Sequence, residues 1–546
     1  MTERGRGRGR LLAAAGVTVL LAWLVLYPIL LVAIDAAHGD AIAAFARRPG
    51  EWRALWASVW ISLASVGLAA AIGIPLAFLF EWLEFPGRKT LGSLIALPAV
   101  LPPFVGVIAF LFLYGESGFV ARAVQRLLGL DAPPWRLQGA GAILLVHAYS
   151  MYVYFYLFTR AGLAKLDASM LEAAQALGAG PWATLRRVTL PLLRPSLAGA
   201  ALLVFMTALG SFSAPYVFGG GFRVMTTQIV ASKLNGELAL ATVETVALAL
   251  VAVVALALIR RTEGSDVLVA LGKGTAPRRR ELRRPAVRTL AAVAGWLFAL
   301  VLLLPHLTLL LVSLVPYGTW TTETLPPQVS LVNYQRLLAE PDRLAPLLNS
   351  LWMAAASTAA AIAVALAAGA LVRRRLPWQW RSPIEALIAL PWALPGTVFA
   401  IALAATFSVN QPLALRWVLV GTVVLLPLAY LVRNLPLTGR AVLAGYRQID
   451  PALEEAAASL GAGRWAAFRR VTMPLLKPAL MAGGSLAFVA ALGDFVTSIV
   501  LYTYDNRPIS IEIMSSLRVN EIGVAAAFGV ILMLVSAAVL GVGARR

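Results

Sequence analysis

The 546 residues contain no cysteine, which excludes disulfides, iron–sulfur clusters and cysteine-based zinc sites. Histidine is nearly as scarce, with three in the chain. His147 and His306 are isolated and far apart in sequence, and each reads as hydrogen-bonded packing rather than a metal ligand. Charge is also thin, at 13% of residues, too little to clothe a water-soluble fold of this length. Acidic residues are outnumbered 26 to 46, giving a net charge of +20. The basic residues fall in short patches between apolar runs, which serves membrane orientation rather than nucleic-acid binding. What is plentiful is apolar surface: 60% of residues are hydrophobic and the mean hydropathy is +0.81. The chain therefore reads as an all-α polytopic membrane protein.

A spanning helix needs roughly 20 mostly apolar residues. Twelve stretches qualify: 11–34, 57–80, 90–114, 139–159, 195–218, 239–259, 289–316, 349–372, 382–408, 415–433, 478–501 and 521–543. They are too long and too uniform for strands of a β-barrel. The first is too long for the apolar core of a cleaved signal, and no small-residue cleavage site follows it. Arg4, Arg6, Arg8 and Arg10 place the N-terminus in the cytoplasm, and an even number of crossings returns Arg545 and Arg546 to the same side. Denser clusters follow on that side: Arg88 with Lys89, Arg186 with Arg187 and Arg194, Arg278–Arg280, Arg373–Arg375, and Arg469 with Arg470.

The chain repeats itself. Residues 172–195, EAAQALGAGPWATLRRVTLPLLRP, and 455–478, EAAASLGAGRWAAFRRVTMPLLKP, are identical at 17 of 24 positions, at an offset of 283. Ala208–Phe212 matches Ala491–Phe495 at the same offset, with Ser211 answered by Asp494. Leu97-Pro98 and Leu101-Pro102 match Leu390-Pro391 and Leu394-Pro395 after a ten-residue slip. Each copy holds six expected spans, so both insert the same way up as a parallel repeat. We expect units at 1–260 and 289–546, joined by a basic cytoplasmic linker at 261–288.

The best-matched segment lies in a cytoplasmic loop before the fifth span of each copy. Asp167 and Asp450 can cap a short helix, Gly178 and Gly180 stop the first, and Gly461 and Gly463 stop the second. The result is a small knob of Ala, Leu and Glu facing the cytoplasm. The pattern E-A-A, three residues, G, then a later L-P resembles the EAA loop of binding-protein-dependent ABC importer permeases, and it occurs in both copies, over 166–195 and 449–478.

That resemblance implies a permease subunit of an ATP-driven importer in the bacterial inner membrane, not an enzyme. Glu172, Ala173, Ala174, Gly178, Glu455, Ala456, Ala457 and Gly461 would contact two copies of a cytoplasmic ABC ATPase, which uses the ATP. This chain would bind no cofactor: it has no Walker A pattern, and Gly272-Lys273-Gly274-Thr275 lacks the required flanking residues. A periplasmic or lipid-anchored binding protein would deliver the solute to the outer loops 219–238 and 502–520. Fusion of two units resembles ferric iron and thiamine permeases, and the stretch around Ser211 and Asp494 favours iron(III); polyamine and aminoethylphosphonate permeases are the alternatives.

Polar groups inside spans point to function. Asp494, opposite Ser211 in the other copy, could face a cationic solute or form part of a gate, or could lie hydrated near the outer end. Glu244 reads as interfacial. Pro98, Pro102, Pro391 and Pro395 break the backbone ladder in the third span of each copy, as suits a pathway helix or a structural kink. An ion-coupled secondary transporter would want paired ionisable groups at mid-membrane and gives no reason for two matching loops. A membrane-embedded enzyme lacks a convergent nucleophile, base or carboxylate set.

Overall fold

The fold was described from a computed structural model, which describes residues 3–262, 280–281, 284–320, 323, 325–373 and 376–544. Most of the expected linker, 263–279 and 282–283, lies outside the described residues, as do Arg545 and Arg546.

In the first copy the principal helices are α1 (Leu11–Ala37), α2 (Pro49–Trp82), α3 (Arg88–Leu94), α4 (Pro103–Tyr114), α5 (Gly139–Leu163), α6 (Ala168–Ala176), α7 (Leu190–Leu209), α8 (Ser213–Phe218) and α9 (Leu238–Thr262). The second copy repeats this order: α10 (Pro285–Ser313), α11 (Pro341–Val372), α12 (Trp378–Ala389), α13 (Gly396–Ser408), α14 (Leu425–Gln448), α15 (Pro451–Ser459), α16 (Met473–Leu492), α17 (Val496–Leu501) and α18 (Ile522–Ala544). Pro49, Pro103, Pro285 and Pro341 open their helices, where a missing N–H costs nothing. Among the described residues the β structure is one two-residue parallel pairing of Leu83–Glu84 with Arg280–Glu281.

Among the described residues, ten helices are long and apolar enough to span a membrane, or eleven if one bent pair counts as a single span. Two differences from the expected twelve are informative. The third span of each copy is not a kinked helix but a broken one. Leu101 and Leu394, each preceding a proline, are extended, because a following proline ring disfavours helical geometry. In the second copy the segments on either side of the break meet at 109°. The four prolines at these breaks are buried, where interrupted backbone is tolerated.

The other difference is α14. Residues 415–424, the start of the expected span 415–433, are not in the helix; it runs Leu425–Gln448, ten residues later. It then contains Arg433, Arg440 and Arg447, and so fails as a plain apolar span. Its place in the fold is nevertheless that of α5, its counterpart at the offset of 283.

Lipid tails are as apolar as the helices, so close packing rather than water exclusion holds helices together. Small residues permit that approach. A Cβ on Gly73 of α2 would fall 2.4 Å from the Tyr152 carbonyl oxygen of α5, and one on Gly369 of α11 would fall 2.5 Å from the Tyr446 ring of α14.

The copies also exchange their first helices. α1 packs against α12 and α13 of the second copy, with Trp23 Nε1 donating to the Leu413 carbonyl at 2.8 Å. In return α10 packs against α3 and α4, and the Tyr149 hydroxyl donates to its Leu302 carbonyl at 2.7 Å.

Candidate functional site

Two regions collect the residues singled out in the sequence. One is the pair of loop helices, α6 and α15. Asp167 accepts from the Ser169 N–H at 3.0 Å and Asp450 from the Ala452 N–H at 2.9 Å, capping the two starts alike. Gly178 and Gly461 end them at φ +81° and +82°, a left-handed turn in which Ala179 and Ala462 each donate back to an alanine carbonyl, Ala174 and Ala457, at 3.0 Å.

Neither helix has a buried residue. Glu172, Ala173, Gly178, Glu455, Ala456 and Gly461 are exposed, and Ala174 and Ala457 are partly so. Leu177 and Leu460 are each 89% exposed, and Trp182 and Trp465, also matched, stand open beside them. Each knob thus leaves a leucine and a tryptophan uncovered in this structure. The knobs differ at Glu454, which accepts from Arg373 Nη1 at 2.6 Å and from the Thr472 hydroxyl, where the first copy has Leu171.

The other region is at mid-molecule, where the copies meet. A Cβ on Gly493 would fall 2.8 Å from Pro102 Cβ, and one on Gly210 would fall 3.4 Å from Pro395 Cα, so each copy's glycine sits on the other's helix break. Pro98 and Pro391 lie one turn back, in the 3₁₀ turns Leu97–Val100 and Leu390–Ala393.

Above these contacts the rings of Phe104 and Phe495 stack at 3.8 Å, and Phe212 and Tyr216 close on Phe495 at 5.7 and 5.9 Å. Phe212 and Phe495 are the matched pair of the repeat, and both are buried. Further from the loops, Arg518 donates to the Tyr216 hydroxyl and Lys233 to the Val500 carbonyl, so the copies are sealed together at that end.

Asp494 is mostly buried and has polar partners. Its side chain is 7% exposed, it pairs with Arg433, and it accepts from the Thr497 N–H at 2.7 Å at the start of α17. A carboxylate so occupied does not present itself to a cation. Ser211 instead hydrogen-bonds His147 Nε2 at 2.9 Å, and His147 Nδ1 meets Ser65 at 2.8 Å, so that histidine is satisfied packing. Glu244 is fully buried and accepts from the Ser232 hydroxyl at 2.7 Å. No cluster of three or more metal-ligating side chains occurs among the described residues.

Residues 69–263 and 359–545 each match the family described as binding-protein-dependent transport system inner membrane component. The chain belongs to that family. It is therefore a fused tandem permease of an ABC importer, a transport subunit with many membrane-crossing helices. Among its relatives is a probable ABC transporter permease protein, y4fN, of Sinorhizobium fredii, 29% identical over 91% of this chain and 89% of the relative. The ferric transport system permease protein FbpB of Actinobacillus pleuropneumoniae is 27% identical, over 81% of this chain and 64% of that protein. The thiamine transport system permease protein ThiP of Brucella abortus is 31% identical over 37% of each chain.

Sequence reasoning missed Phe104, Tyr216 and Arg433 in this permease. Phe104 carried a signal, since it follows the Leu101-Pro102 break closely. Arg433 was masked by register: at the end of a span 415–433 it reads as an anchor, whereas in α14 it lies nine residues inside the helix.

Proposed function

We propose that this permease imports a small solute, handed over by a periplasmic or lipid-anchored binding protein, by alternating access of its two copies. The copies correspond to 1–260 and 289–546, with the basic stretch 261–288 between them. Both termini and the loop helices face the cytoplasm, as the arginine distribution favours. α6 and α15 each dock one subunit of a separate ATPase, with Glu172, Ala173, Ala174 and Gly178 in the first contact and Glu455, Ala456, Ala457 and Gly461 in the second. Pro102, Pro395, Ser211 and Asp494, with Pro98 and Pro391 behind them, border the pathway. The aromatic cluster about Phe495 is its outer gate, closed here. ATP binding draws the loops together and biases the two-state arrangement toward the outward-open form.

The observation that carries this reading is the matched pair of exposed apolar loop helices. For the solute, the ferric relatives support iron(III), and the thiamine relatives support the alternative. Polyamine and aminoethylphosphonate remain chemically open.

The test is co-purification with the ATPase encoded beside the permease. An arginine in place of each stop glycine sets a long charged side chain on each knob, so Gly178→Arg with Gly461→Arg should abolish recovery that the wild type supports. Undiminished recovery would remove the loops from the docking surface.

A further inference from the structure

α14 is open along one strip. Arg433, Leu437, Arg440, Ala444 and Arg447 are partly or fully exposed, and at about 100° per residue they fall within about 40° of one line. On the same line toward the far end, Ala429 and Leu426 are fully buried. The strip is thus open from the loop end up to Arg433 and closed beyond it, where the aromatic gate lies. Arg433 and Arg440 lie well inside the helix, where an arginine is costly against hydrocarbon and almost always faces the bundle interior or water, so an open strip that carries them lines water.

Its charge is one-sided. Asp494 is taken by Arg433 and by Thr497. Glu385 is shared between Arg447 at 2.8 Å and Arg381 at 3.1 Å. Arg440 has no carboxylate within ion-pair distance among the described residues, and its guanidinium lies over the exposed Trp392 ring at 5.2 Å. Arg433 uses Nη1 for Asp494 and Thr497, while Nε and Nη2 have no hydrogen-bond partner among the described residues and the side chain is 31% exposed. Gly396 leaves it room: a Cβ there would fall 2.7 Å from the guanidinium carbon. The scaffold does not require these charges. The matching positions of α5 and its end are Ser150, Leu157 and Ala164.

We propose that the open strip of α14 is an anion-binding track along the solute's path, with Arg433 and Arg440 as its inner stations, and that the solute passes it as an anion. A guanidinium with a free edge, backed by a second one above an indole, suits a planar or tetrahedral oxyanion group. That group can belong to a free oxyanion or to a carboxylate chelate carrying a metal ion. The proposal rests on the permease reading above and names its solute class.

The absence of native cysteine supplies the test. Leu437→Cys and Ala444→Cys are made separately in the full chain, and reaction rates are measured with 2-sulfonatoethyl and 2-(trimethylammonio)ethyl methanethiosulfonate. Each rate is normalised to that of a free thiol. The anionic reagent should be favoured roughly tenfold, the lower range of field focusing in clefts, and Arg440→Gln should cut that preference several-fold. Equal normalised rates, or a preference that Arg440→Gln leaves unmoved, would overturn the anion track. Failure of both variants to react would overturn the wet strip itself. Neither result bears on ATPase docking, which co-purification reads separately. Protection of the Leu437→Cys variant by sodium molybdate would point to a free oxyanion. Protection by ferric citrate, but not by citrate alone, would point to a chelate. Protection by thiamine alone would sink the proposal.

Discussion

At the scale of single residues, the ion pair of Arg433 and Asp494 is the clearest case of a position legible in sequence whose role was not. Asp494 stands out as an acid in an apolar run, and the repeat aligns it with Ser211. Its partner comes from another helix, and only the folded register brings them together. Removing one member leaves a charge stranded in a mostly buried place. Asp494→Ala should therefore cost about 2–3 kcal/mol, somewhat under the value for a fully buried pair because Arg433 is partly open. Replacing both by leucine should recover most of that loss. Thermal unfolding in detergent would decide it, and a double variant no better than the single one would contradict the pairing argument. Gly493 makes a second residue-scale case. Any side chain there meets Pro102, so Gly493→Val should wedge the copies apart and lower disulfide yield in a Phe104→Cys, Phe495→Cys background.

At the scale of elements, the loop helices were readable almost completely, because caps, stop glycines and exposed apolar residues are local signals repeated twice. The broken third span was half readable. Leu-Pro pairs announce an interruption, but whether a helix kinks or breaks depends on what the neighbouring copy packs into the gap. The displaced start of α14 was not readable from hydropathy, since a helix lining water carries charge that a lipid-facing one cannot. The two loops are also not equivalent. Arg373 ties Glu454 to the end of α11, a partly exposed pair worth about 1 kcal/mol at most. Glu454→Ala should speed amide hydrogen exchange in 451–459 and leave 168–176 unchanged; equal acceleration in both would show that the tether is not local. Gly461→Ala should cost about 1–2 kcal/mol locally through its left-handed backbone, and fray the end of α15.

At the scale of the whole molecule, the parallel repeat predicts a meeting of equivalent residues on the pseudo-two-fold axis, and Phe212 with Phe495 fulfils it. Truncating Phe495 to Ala removes a ring that three others close upon, a change of about 3–5 kcal/mol in a well-packed site. We expect reconstituted Phe495→Ala permease to leak small solutes without ATP; tight vesicles would show that the seal lies elsewhere.

The exchanged first helices carry a mechanical consequence. α1 packs on α12 and α13 as well as on α9 of its own copy, and α10 on α3 and α4 as well as on α18 of its own copy, so each first helix straddles the two copies. A motion that parts the copies must therefore carry or slide these two helices, which act as straps across the seam.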